Sequence, residues 1–416
     1  MKTKAVRLYG KGDLRLEEFE LPAIKDNEIL ALVISDSLCM SSYKAAQQGS
    51  DHKRVPDDVS ENPVIIGHEF CGKLVEIGAK WADSFTAGQK FSIQPALNYK
   101  GSLDAPGYSY KHIGGNATYV IIPNEVMEMG CLLPYEGEGF FGGSLAEPLS
   151  CVAGSFHAMH HTVRGSYDHK MGIKTGGAMA ILAGVGPMGL AAIDYILHCG
   201  RCPAKLIVTD IDQTRLDRAE SILSPAEAAK NGIELKYLNT GAVSDAKTAL
   251  LDFNGGNGYD DVLVFAPVTP VVELGDAILG DDGCLNFFAG PSNPEFSAKF
   301  NFYNVHYAST HVVGTSGGNT EDMRESLDMM SRGLLNPAIL VTHIGGLNSA
   351  AEATLNLPQI PGGKKLVYTG IDFPLTAISD FGKLDETDAR FARLHEICEK
   401  NNGLWSAEAE RYLLES

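Results

Sequence analysis

The stretch from Ala178 to Asp210 constrains the fold of this chain more than any other part of the sequence. It begins with the apolar run AMAILA, which has the length of a buried strand. The turn sequence GVGPMG follows directly, and the apolar-faced segment after it has the pattern of a helix. A second apolar run, LIVT, leads to Asp210, 21 residues after Gly189. This order of strand, glycine turn, helix and strand predicts a βαβ unit of a parallel sheet.

The glycine turn has the spacing Gly-x-Gly-x-x-Gly, which in this context is typical of a dinucleotide site. The first glycine permits a tight turn, the second lets a pyrophosphate approach the backbone, and the third lets helix and strand pack closely. An acid at the end of the second strand would accept the ribose hydroxyls, which favours NAD(H), while the arginine shortly after it keeps NADP(H) open. The predicted cofactor-binding residues are Gly184, Val185, Gly186, Pro187, Met188, Gly189, Asp210 and Arg215.

The length and the charge of the chain restrict its class. With 416 residues it exceeds what one core usually supports, so two domains are expected. A net charge of −18 argues against nucleic acid or an anionic membrane surface as a partner. No apolar run approaches the roughly 20 residues that span a bilayer. The eight cysteines are scattered rather than patterned, which suggests reduced thiols and a cytoplasmic protein.

The pattern of the sequence changes along the chain. Up to about residue 150, short apolar runs separated by turn residues predict a compact, mostly β domain. Strand and helix patterns then alternate, which predicts a doubly wound α/β domain. We therefore expect residues 1–154 and 306–416 to form one domain, ending in helices added on its surface, and residues 155–305 to form the other. The short apolar segment His311–Gly314 could be an edge strand that pairs two copies of the chain.

Four residues of the first domain have the side chains of a catalytic zinc site. Cys39 follows a predicted strand, His68 and Glu69 are adjacent, and Glu147 precedes Pro148. Thiolate, imidazole and carboxylate groups are the ligands of a zinc ion that keeps one position open. Taken singly, each has an ordinary alternative, which is a core cysteine, a surface His-Glu pair or a carboxylate that caps a helix.

Together with the glycine turn, these residues resemble the zinc-dependent medium-chain dehydrogenases, most of all their sorbitol dehydrogenase branch. The resemblance extends to about residue 370. It implies a GroES-like, mostly β catalytic domain joined to a Rossmann domain, with one catalytic zinc ion per chain, and it implies homodimers or homotetramers. It also implies that Cys39, His68 and Glu69 bind the zinc and that Glu147 binds it directly or through water.

The chain departs from this family in three places. Members with a structural zinc carry four closely spaced cysteines near the end of the first domain, whereas residues 95–115 contain none, so no second zinc is expected. The usual Cys-x-Ser/Thr-Asp becomes CMSS at residues 39–42, which keeps a hydroxyl at Ser41 and loses the acid. Lys44 stands where a proton-relay histidine is often found. Ser41 and Lys44 are therefore the predicted catalytic side chains.

Two other features have competing interpretations. His157 and His161 are four residues apart on a predicted helix, a spacing that suits a metal pair, although packing and hydrogen bonding are the ordinary roles. The aromatic and basic residues Tyr99-Lys100 and Tyr108–His112 lie in an insert that would ordinarily be a solvated loop, although it could reach a polar substrate.

Within the sorbitol dehydrogenase branch, the length, the insert and the acidic tail most resemble the reductases that interconvert L-sorbose 1-phosphate and D-glucitol 6-phosphate. The predicted function is zinc-dependent hydride transfer between a nicotinamide cofactor and such a sugar-derived alcohol or ketone. A dianionic substrate requires a local basic pocket in a protein this acidic. The candidates for that pocket are Lys44, Lys53, Arg54, Lys100, Lys111 and His112.

Three alternatives to this function remain at the level of sequence. The substrate could be an unphosphorylated polyol such as sorbitol, if the basic side chains are merely solvated. A zinc-free quinone or enone reductase of the same superfamily would keep the glycines but lack the ligand set, so the presence of Cys39, His68, Glu69 and Glu147 argues against it. A non-catalytic NAD-binding sensor would not need an open metal position.

Overall fold

The structure is a computed structural model that describes residues 1–163, 165–384 and 388–416. The chain divides into two compact units. The first consists of residues 1–148, 319–331 and 337–416, and the second consists of residues 149–318 and 332–336. From the sequence, the two main boundaries between the domains are expected between residues 154 and 155 and between residues 305 and 306. The main boundaries between the two observed units lie between residues 148 and 149 and between residues 318 and 319.

Strands and helices follow one another in chain order, with short 3-10 turns between several of them. The N-terminal part contains β1 (Lys2–Gly10), β2 (Asp13–Glu20), β3 (Ile29–Leu38), α1 (Met40–Gln48), β4 (Val64–Ile65), β5 (Phe70–Ile77), β6 (Lys90–Ile93), β7 (Tyr119–Ile122), α2 (Asn124–Glu128), β8 (Leu132–Pro134) and α3 (Phe140–Ala158). The middle part contains β9 (His160–Thr162), β10 (His169–Met171), β11 (Ala178–Leu182), α4 (Pro187–His198), β12 (Lys205–Asp210), α5 (Gln213–Ile222), α6 (Pro225–Lys230), β13 (Glu234–Asn239), α7 (Ala246–Phe253), β14 (Tyr259–Val264), α8 (Thr269–Ala277), β15 (Leu279–Phe287), α9 (Phe302–Tyr307) and β16 (His311–Val313). The last part contains α10 (Thr320–Ser331), β17 (Val341–Gly346), α11 (Leu347–Leu355), β18 (Lys364–Tyr368), β19 (Thr376–Ala377), α12 (Ala389–Lys400) and α13 (Ala407–Glu415). Among the described residues, no helix combines the length and the apolar character that crossing a membrane requires.

The first unit is built around β3, whose sequence ILALVISDSL is almost entirely buried. The main sheet has the order β19-β17-β18-β3-β5-β6-β8, and β7 also pairs with β3. β7 pairs with the first half of β3 and β18 with its second half, while β5 runs antiparallel along the other side. The end of β3 therefore lies between β18 and the start of β5. The mostly β architecture predicted for this part of the chain is confirmed.

The second unit contains the predicted βαβ unit. Its parallel sheet has the order β13-β12-β11-β14-β15-β16. β11 is completely buried. From β11 the chain adds β12 and then β13 on one side of it in the sheet, and afterwards adds β14, β15 and β16 on the opposite side. Doubly wound sheets bind ligands at the carboxyl ends of the strands where the order reverses in this way. The Rossmann prediction is confirmed, and β16 forms one edge of the sheet.

The C-terminal helices are not surface additions, so that expectation was wrong. One buried cluster contains Phe391, Leu394 and Ile397 of α12 together with Trp405 and Leu413, and it packs them against the apolar face of β17 and β18. The acidic composition of this segment concealed apolar residues that recur at helical spacing, which is the pattern of a buried helix face.

Candidate active site

Three of the predicted metal ligands lie together in the first unit. Cys39 follows the end of β3, and His68 and Glu69 immediately precede β5. The two strands are antiparallel neighbours, with Asp36 opposite Phe70, so the end of one lies beside the start of the other. One ligand atom from each of Cys39, His68 and Glu69 consequently lies within 4.8 Å of the other two. No other such group occurs among the residues that the structure describes.

Gly67 determines how the chain enters this site. Its φ is +93°, a left-handed conformation that favours glycine. A Cβ atom here would lie 2.2 Å from Nδ2 of Asn116 and 2.7 Å from Oδ2 of Asp36. These two side chains are buried and joined by a 2.7 Å hydrogen bond that Asn116 donates. A side chain at position 67 would therefore displace His68.

The imidazole of His68 is held through both nitrogens. The hydroxyl of Ser42 lies 3.1 Å from Nδ1, and the hydroxyl of Tyr108 lies 3.2 Å from Nε2. Burial lowers the pKa of His68 to about 4, so the ring is neutral at pH 7, which is the state that binds a metal ion. Metal-ligating histidines are usually oriented through the second nitrogen, and Ser42 does this at Nδ1. Nε2 faces Glu69, whose Oε1 lies 3.9 Å away.

The carboxylate of Glu69 is paired with Lys364, the first residue of β18. The Nζ atom of Lys364 donates to Oε1 at 2.5 Å and to Oε2 at 2.7 Å. Burial alone would raise the pKa of Glu69, but the charge and the hydrogen bonds of Lys364 lower it overall. Burial would likewise lower the pKa of Lys364, and Glu69 raises it. Glu69 is therefore a buried, oriented anion.

These donors fit a zinc ion. Burial raises the pKa of Cys39 to about 12, and the negative charges of Glu69 and Glu147 contribute to the rise. A coordinated thiol is deprotonated outright, because the charge of a divalent cation reverses this electrostatic balance. A thiol, a neutral imidazole and an ionised carboxylate within 4.8 Å of one another are a donor set that zinc accepts.

Glu147 and Ser41 lie beside this group. Glu147 is buried on α3 and close enough for its charge to act on Cys39, although its oxygens are outside the 4.8 Å group. Ser41 is close enough to Tyr108 and to Cys39 to counteract part of the rise that burial causes in the pKa of each. The neighbouring Ser42, rather than Ser41, contacts His68.

Tyr108 brings a group of basic side chains to the site. It is buried, so the solvated-loop interpretation of this part of the insert was wrong. Its ring is stacked against His52 at a centroid distance of 5.7 Å, and Arg54 lies over it with Cζ 5.4 Å from the centroid. Burial lowers the pKa of His52, and the charges of Arg54, Lys53 and Lys44 add to this effect. The charge of Arg54 also contributes to the lowered pKa of His68.

The other basic candidates have different surroundings. Lys100 lies over the ring of Tyr99, with Nζ 4.8 Å from the centroid. Lys111 donates to the side chain of Asn62, and together with His112 it lines a separate pocket near Glu125. The predicted basic residues therefore fall into two groups. One group lies around Tyr108 and His52, and the other lies elsewhere on the first unit: Arg54, Lys53 and Lys44 in the first, and Lys100, Lys111 and His112 in the second.

The predicted cofactor turn joins β11 to α4 in the second unit. A Cβ at Gly184 would lie 2.3 Å from Cγ2 of Ile181, and a Cβ at Gly189 would lie 2.1 Å from the carbonyl oxygen of Gly184. Both positions therefore require glycine for internal packing. A Cβ at Gly186 would meet only Nη2 of Arg215, at 3.7 Å. The backbone at Gly186 is therefore open to a ligand, as a pyrophosphate site requires.

An acid and an arginine lie at the end of β12 and in the helix that follows it. Asp210 is the last residue of β12, and its Oδ1 accepts hydrogen bonds from the backbone N–H groups of Ile211 at 2.8 Å and Asp212 at 3.2 Å. Arg215 approaches Gly186, and burial together with the charge of Arg215 lowers the pKa of Arg218. A carboxylate that suits a ribose and guanidinium groups that suit a phosphate thus both occur after β12.

The alternative prediction, that His157 and His161 form a metal-binding pair on a helix, was wrong. Helix α3 ends at Ala158, and His161 lies in β9, which pairs with β10. His157 Nε2 lies 3.4 Å from the hydroxyl of Tyr195. His161 Nε2 lies 3.1 Å from Oδ1 of Asp261, and Nδ1 lies 3.0 Å from a backbone carbonyl. The helical spacing that motivated the pair is absent because the chain becomes extended after residue 158.

Several residues of the site were missed by sequence reasoning. Lys364, Ser42 and His52 all contact or influence the predicted ligands. For Lys364 a signal existed, since it shares a strand face with Leu366 and Tyr368, which are fully buried. A lysine on such a face needs buried acceptors, although the pattern does not say which residue supplies them.

Comparison with known proteins places this geometry in context. A model of the family "Zinc-binding dehydrogenase" matches residues 187–332, and one of the "Alcohol dehydrogenase GroES-like domain" matches residues 25–130. The chain is 52% identical over 412 residues to L-sorbose 1-phosphate reductase of Klebsiella pneumoniae, covering 99% of this chain and 97% of that protein. It is 52% identical over 414 residues to mannitol-1-phosphate 5-dehydrogenase of Aliivibrio fischeri, covering 100% of this chain and 98% of that protein.

Solved structures agree in fold. A zinc-binding dehydrogenase of Sinorhizobium meliloti, solved with NADP, superposes with a TM-score of 0.71. The match covers 89% of this chain and 100% of that chain. At 20% sequence identity this likeness shows the shared fold alone.

Proposed function

This chain belongs to the family of zinc-binding dehydrogenases, and we propose that it transfers a hydride between a nicotinamide cofactor and a phosphorylated ketose or polyol. L-sorbose 1-phosphate and D-glucitol 6-phosphate are the leading substrate pair. The two relatives with 52% identity are both named for reactions of hexose-derived phosphates, which supports this substrate class.

The observation that carries the proposal is the position of Arg54 beside Tyr108, whose hydroxyl lies 3.2 Å from Nε2 of His68, the nitrogen that would bind the metal. In a chain of net charge −18, a dianion needs concentrated local positive charge. Lys53 and Lys44, whose charges also reach His52, add to that charge. We assign the phosphate to this group and the reacting carbon to the metal side of Tyr108.

Cys39, His68 and Glu69 would hold the zinc ion, with Glu147 bound to it directly or through water. When bound, zinc supplies a Lewis acid that polarises a carbonyl oxygen or acidifies an alcohol. Lys364 keeps Glu69 ionised and fixes both of its oxygens. Ser42 holds the ring of His68. These contacts preorganise the ligands before substrate arrives.

The proton and the hydride follow different routes. In the oxidative direction the alcohol oxygen loses a proton, and we assign its relay towards solvent to the hydroxyls of Tyr108 and Ser41. Lys44, whose charge reaches His52 beside Tyr108, is a further candidate for that relay. The glycine turn with Asp210 and Arg215 would hold the cofactor, which when bound supplies a nicotinamide as the hydride acceptor for oxidation of the carbon that carries the alcohol. In the reductive direction each step runs backwards.

A substrate screen tests this function. The zinc-loaded enzyme is assayed with L-sorbose 1-phosphate, D-glucitol 6-phosphate, mannitol 1-phosphate and sorbitol, each with NAD(H) and NADP(H). Two charge-assisted hydrogen bonds should favour the phosphorylated substrates in kcat/KM by about a hundredfold or more. Equal values would instead support the second candidate, an unphosphorylated polyol dehydrogenase. Absence of turnover with all substrates would leave a nucleotide-binding sensor.

Metal analysis provides an independent check. Elemental analysis should find one zinc ion per chain, and two tightly bound ions would contradict the assignment. Cys39→Ser and His68→Ala should each remove the zinc and nearly all turnover. Cofactor affinity, measured by nicotinamide fluorescence, should be largely retained, because the glycine turn belongs to the other unit.

We also propose a homodimer formed through β16. This strand is at the edge of the described sheet, with Val312 half exposed, and its unpaired backbone groups can bind a second copy. Helix α9, just before it, exposes the rings of Phe302, Tyr303 and Tyr307, and exposed aromatic residues are typical of interfaces. Light scattering should give a dimer mass and Val312→Lys should shift it towards the monomer, whereas a wild-type monomer at micromolar concentration would reject the assignment.

A further inference from the structure

The start of helix α3 is bound by a carboxylate from the far end of the chain. The backbone N–H of Phe140 donates to Oε1 of Glu410 at 2.6 Å, and that of Phe141 donates to Oε2 at 2.8 Å. The first N–H groups of a helix have no partner within the helix, and an anion there also interacts favourably with the helix dipole. Glu410 therefore caps α3, although it belongs to α13, 270 residues later.

Glu410 is itself held from the other side. It is only 3% exposed, and the hydroxyl of Tyr368 donates to its Oε2 at 2.8 Å. The indole N–H of Trp405 donates to that hydroxyl at 2.7 Å. Tyr368 ends β18, the strand that begins with Lys364. Hydrogen bonds thus connect the C-terminal segment, through the end of β18, to the first turn of α3.

The capped helix carries Glu147. This residue lies seven positions after Phe140, about two turns or roughly 10 Å along the helix. Its carboxylate is close enough to Cys39 and Lys364 for its charge to influence the pKa of both. Pro148 follows at once and lacks the N–H that would bond to the preceding turn. The part of the helix between its capped start and Pro148 therefore carries Glu147, and the placement of that part determines where the carboxylate lies.

We propose that Glu410 is a positioning residue of the active site, which sets the place of Glu147 beside Cys39 by capping α3. The C-terminal extension is then part of the catalytic apparatus. This inference rests on the proposed function in one respect, since it takes Glu147 to belong to the metal site.

A double-mutant cycle on the full-length, zinc-loaded enzyme tests the coupling. Glu147→Gln and Glu410→Gln should each lower kcat by at least about tenfold, since small displacements of catalytic groups are costly. The KM for the nicotinamide cofactor should stay within about twofold, because catalytic alignment rather than cofactor binding is lost. Independently of activity, competition with a chelator should show weaker zinc binding in each single variant, and in the double variant no weaker binding than in Glu147→Gln alone. The double variant should be no slower than Glu147→Gln alone, because Glu410 acts through Glu147.

Two further variants separate positioning from general stability. Glu410→Asp keeps the charge and should regain part of kcat. Glu408→Gln removes an exposed acid on the same helix and should behave like the wild type. If Glu410→Gln does not fold, Tyr368→Phe can replace it, because it removes one hydrogen bond to the same carboxylate. Tyr368→Phe should lower kcat in the wild-type background and should not lower it further in the Glu147→Gln background.

Additive effects in the cycle would overturn the inference, because they would mean that Glu410 acts independently of Glu147. So would an unchanged kcat in folded Glu410→Gln. Wild-type activity in Glu147→Gln would also overturn it while leaving the dehydrogenase function intact. Absence of dehydrogenase activity in the wild type would refute the proposed function itself, so the two failures are distinguishable.

Discussion

Lys364 donates to both carboxylate oxygens of Glu69, at 2.5 and 2.7 Å, across 295 positions of the sequence. Both side chains are buried. Removing one partner of a buried ion pair leaves an uncompensated charge, which is far more destabilising than replacing both. In this protein the pair does more than stabilise the fold, because one partner is a candidate metal ligand. If Glu69 binds the metal as proposed, folding and metal binding are linked through this residue.

The first prediction concerns Lys364→Met. In the metal-free protein this change should lower the free energy of unfolding by about 3–5 kcal/mol, because Glu69 becomes a buried anion without a partner. Bound zinc would replace the lost positive charge, so the destabilisation should be smaller in the zinc-loaded protein. Urea unfolding with and without a chelator measures the difference. Lys364→Arg, which keeps the charge, is the matched control, and an equal loss in both metal states would contradict the linkage.

The second prediction concerns cofactor choice. Asp210→Ala should weaken NAD(H) binding and improve the relative use of NADP(H), because it removes the ribose acceptor and a repulsive charge. Arg215→Ala should change the preference in the opposite direction. Each change should be about tenfold or more in the ratio of kcat/KM values, the size expected for one charge-assisted hydrogen bond. A wild-type enzyme that strongly prefers NADPH would show that the arginine dominates.

The third prediction concerns pH and His161. Burial alone would lower the pKa of this histidine, but its hydrogen bond to Asp261 and the nearby Asp282 raise it overall. Folding therefore favours the protonated ring. The resulting stabilisation is fully present below the unfolded pKa of about 6.5 and is lost as the pH rises through the folded value. His160, also close by, is a further titrating neighbour.

The stability difference between the wild type and His161→Phe should accordingly be larger at pH 6 than at pH 8.5. At the lower pH it should be about 1–3 kcal/mol, the cost of leaving a buried acceptor without its partner. Urea unfolding at the two pH values measures it, with the exposed His306→Asn as a control. A difference that grows with pH would show that Asp261 does not raise the pKa of His161.

The sequence predicted the features that are determined locally. Gly184 and Gly189 are required by their own turn, and the apolar runs on either side of them have the length of buried strands, so this part of the fold could be read directly. Cys39, His68 and Glu69 came from resemblance to a family, and antiparallel pairing of β3 with β5 brings them together.

Features that depend on distant pairing could not be predicted. Lys364 reaches Glu69 only because β18 pairs with β3, and nothing in the local sequence specifies that register. The burial of Tyr108 was not predicted, because it depends on a turn at Gly107 that packs directly on Gly67. A Cβ at Gly107 would lie 2.1 Å from the carbonyl oxygen of Gly67. Glu410 was missed because the C-terminal segment that contains it is rich in acidic residues, a composition typical of a solvated surface.

Phosphate recognition by Arg54 has the sharpest test in a ratio of specificities. The ratio is kcat/KM for D-glucitol 6-phosphate divided by kcat/KM for sorbitol, measured for the wild type, Arg54→Ala and the control Lys111→Ala. We predict a wild-type ratio of about a hundred or more, a fall of about tenfold or more in Arg54→Ala through the phosphorylated substrate alone, and no change in the control. A wild-type ratio near one, or an unchanged ratio in Arg54→Ala, would contradict the assignment of the phosphate to this site.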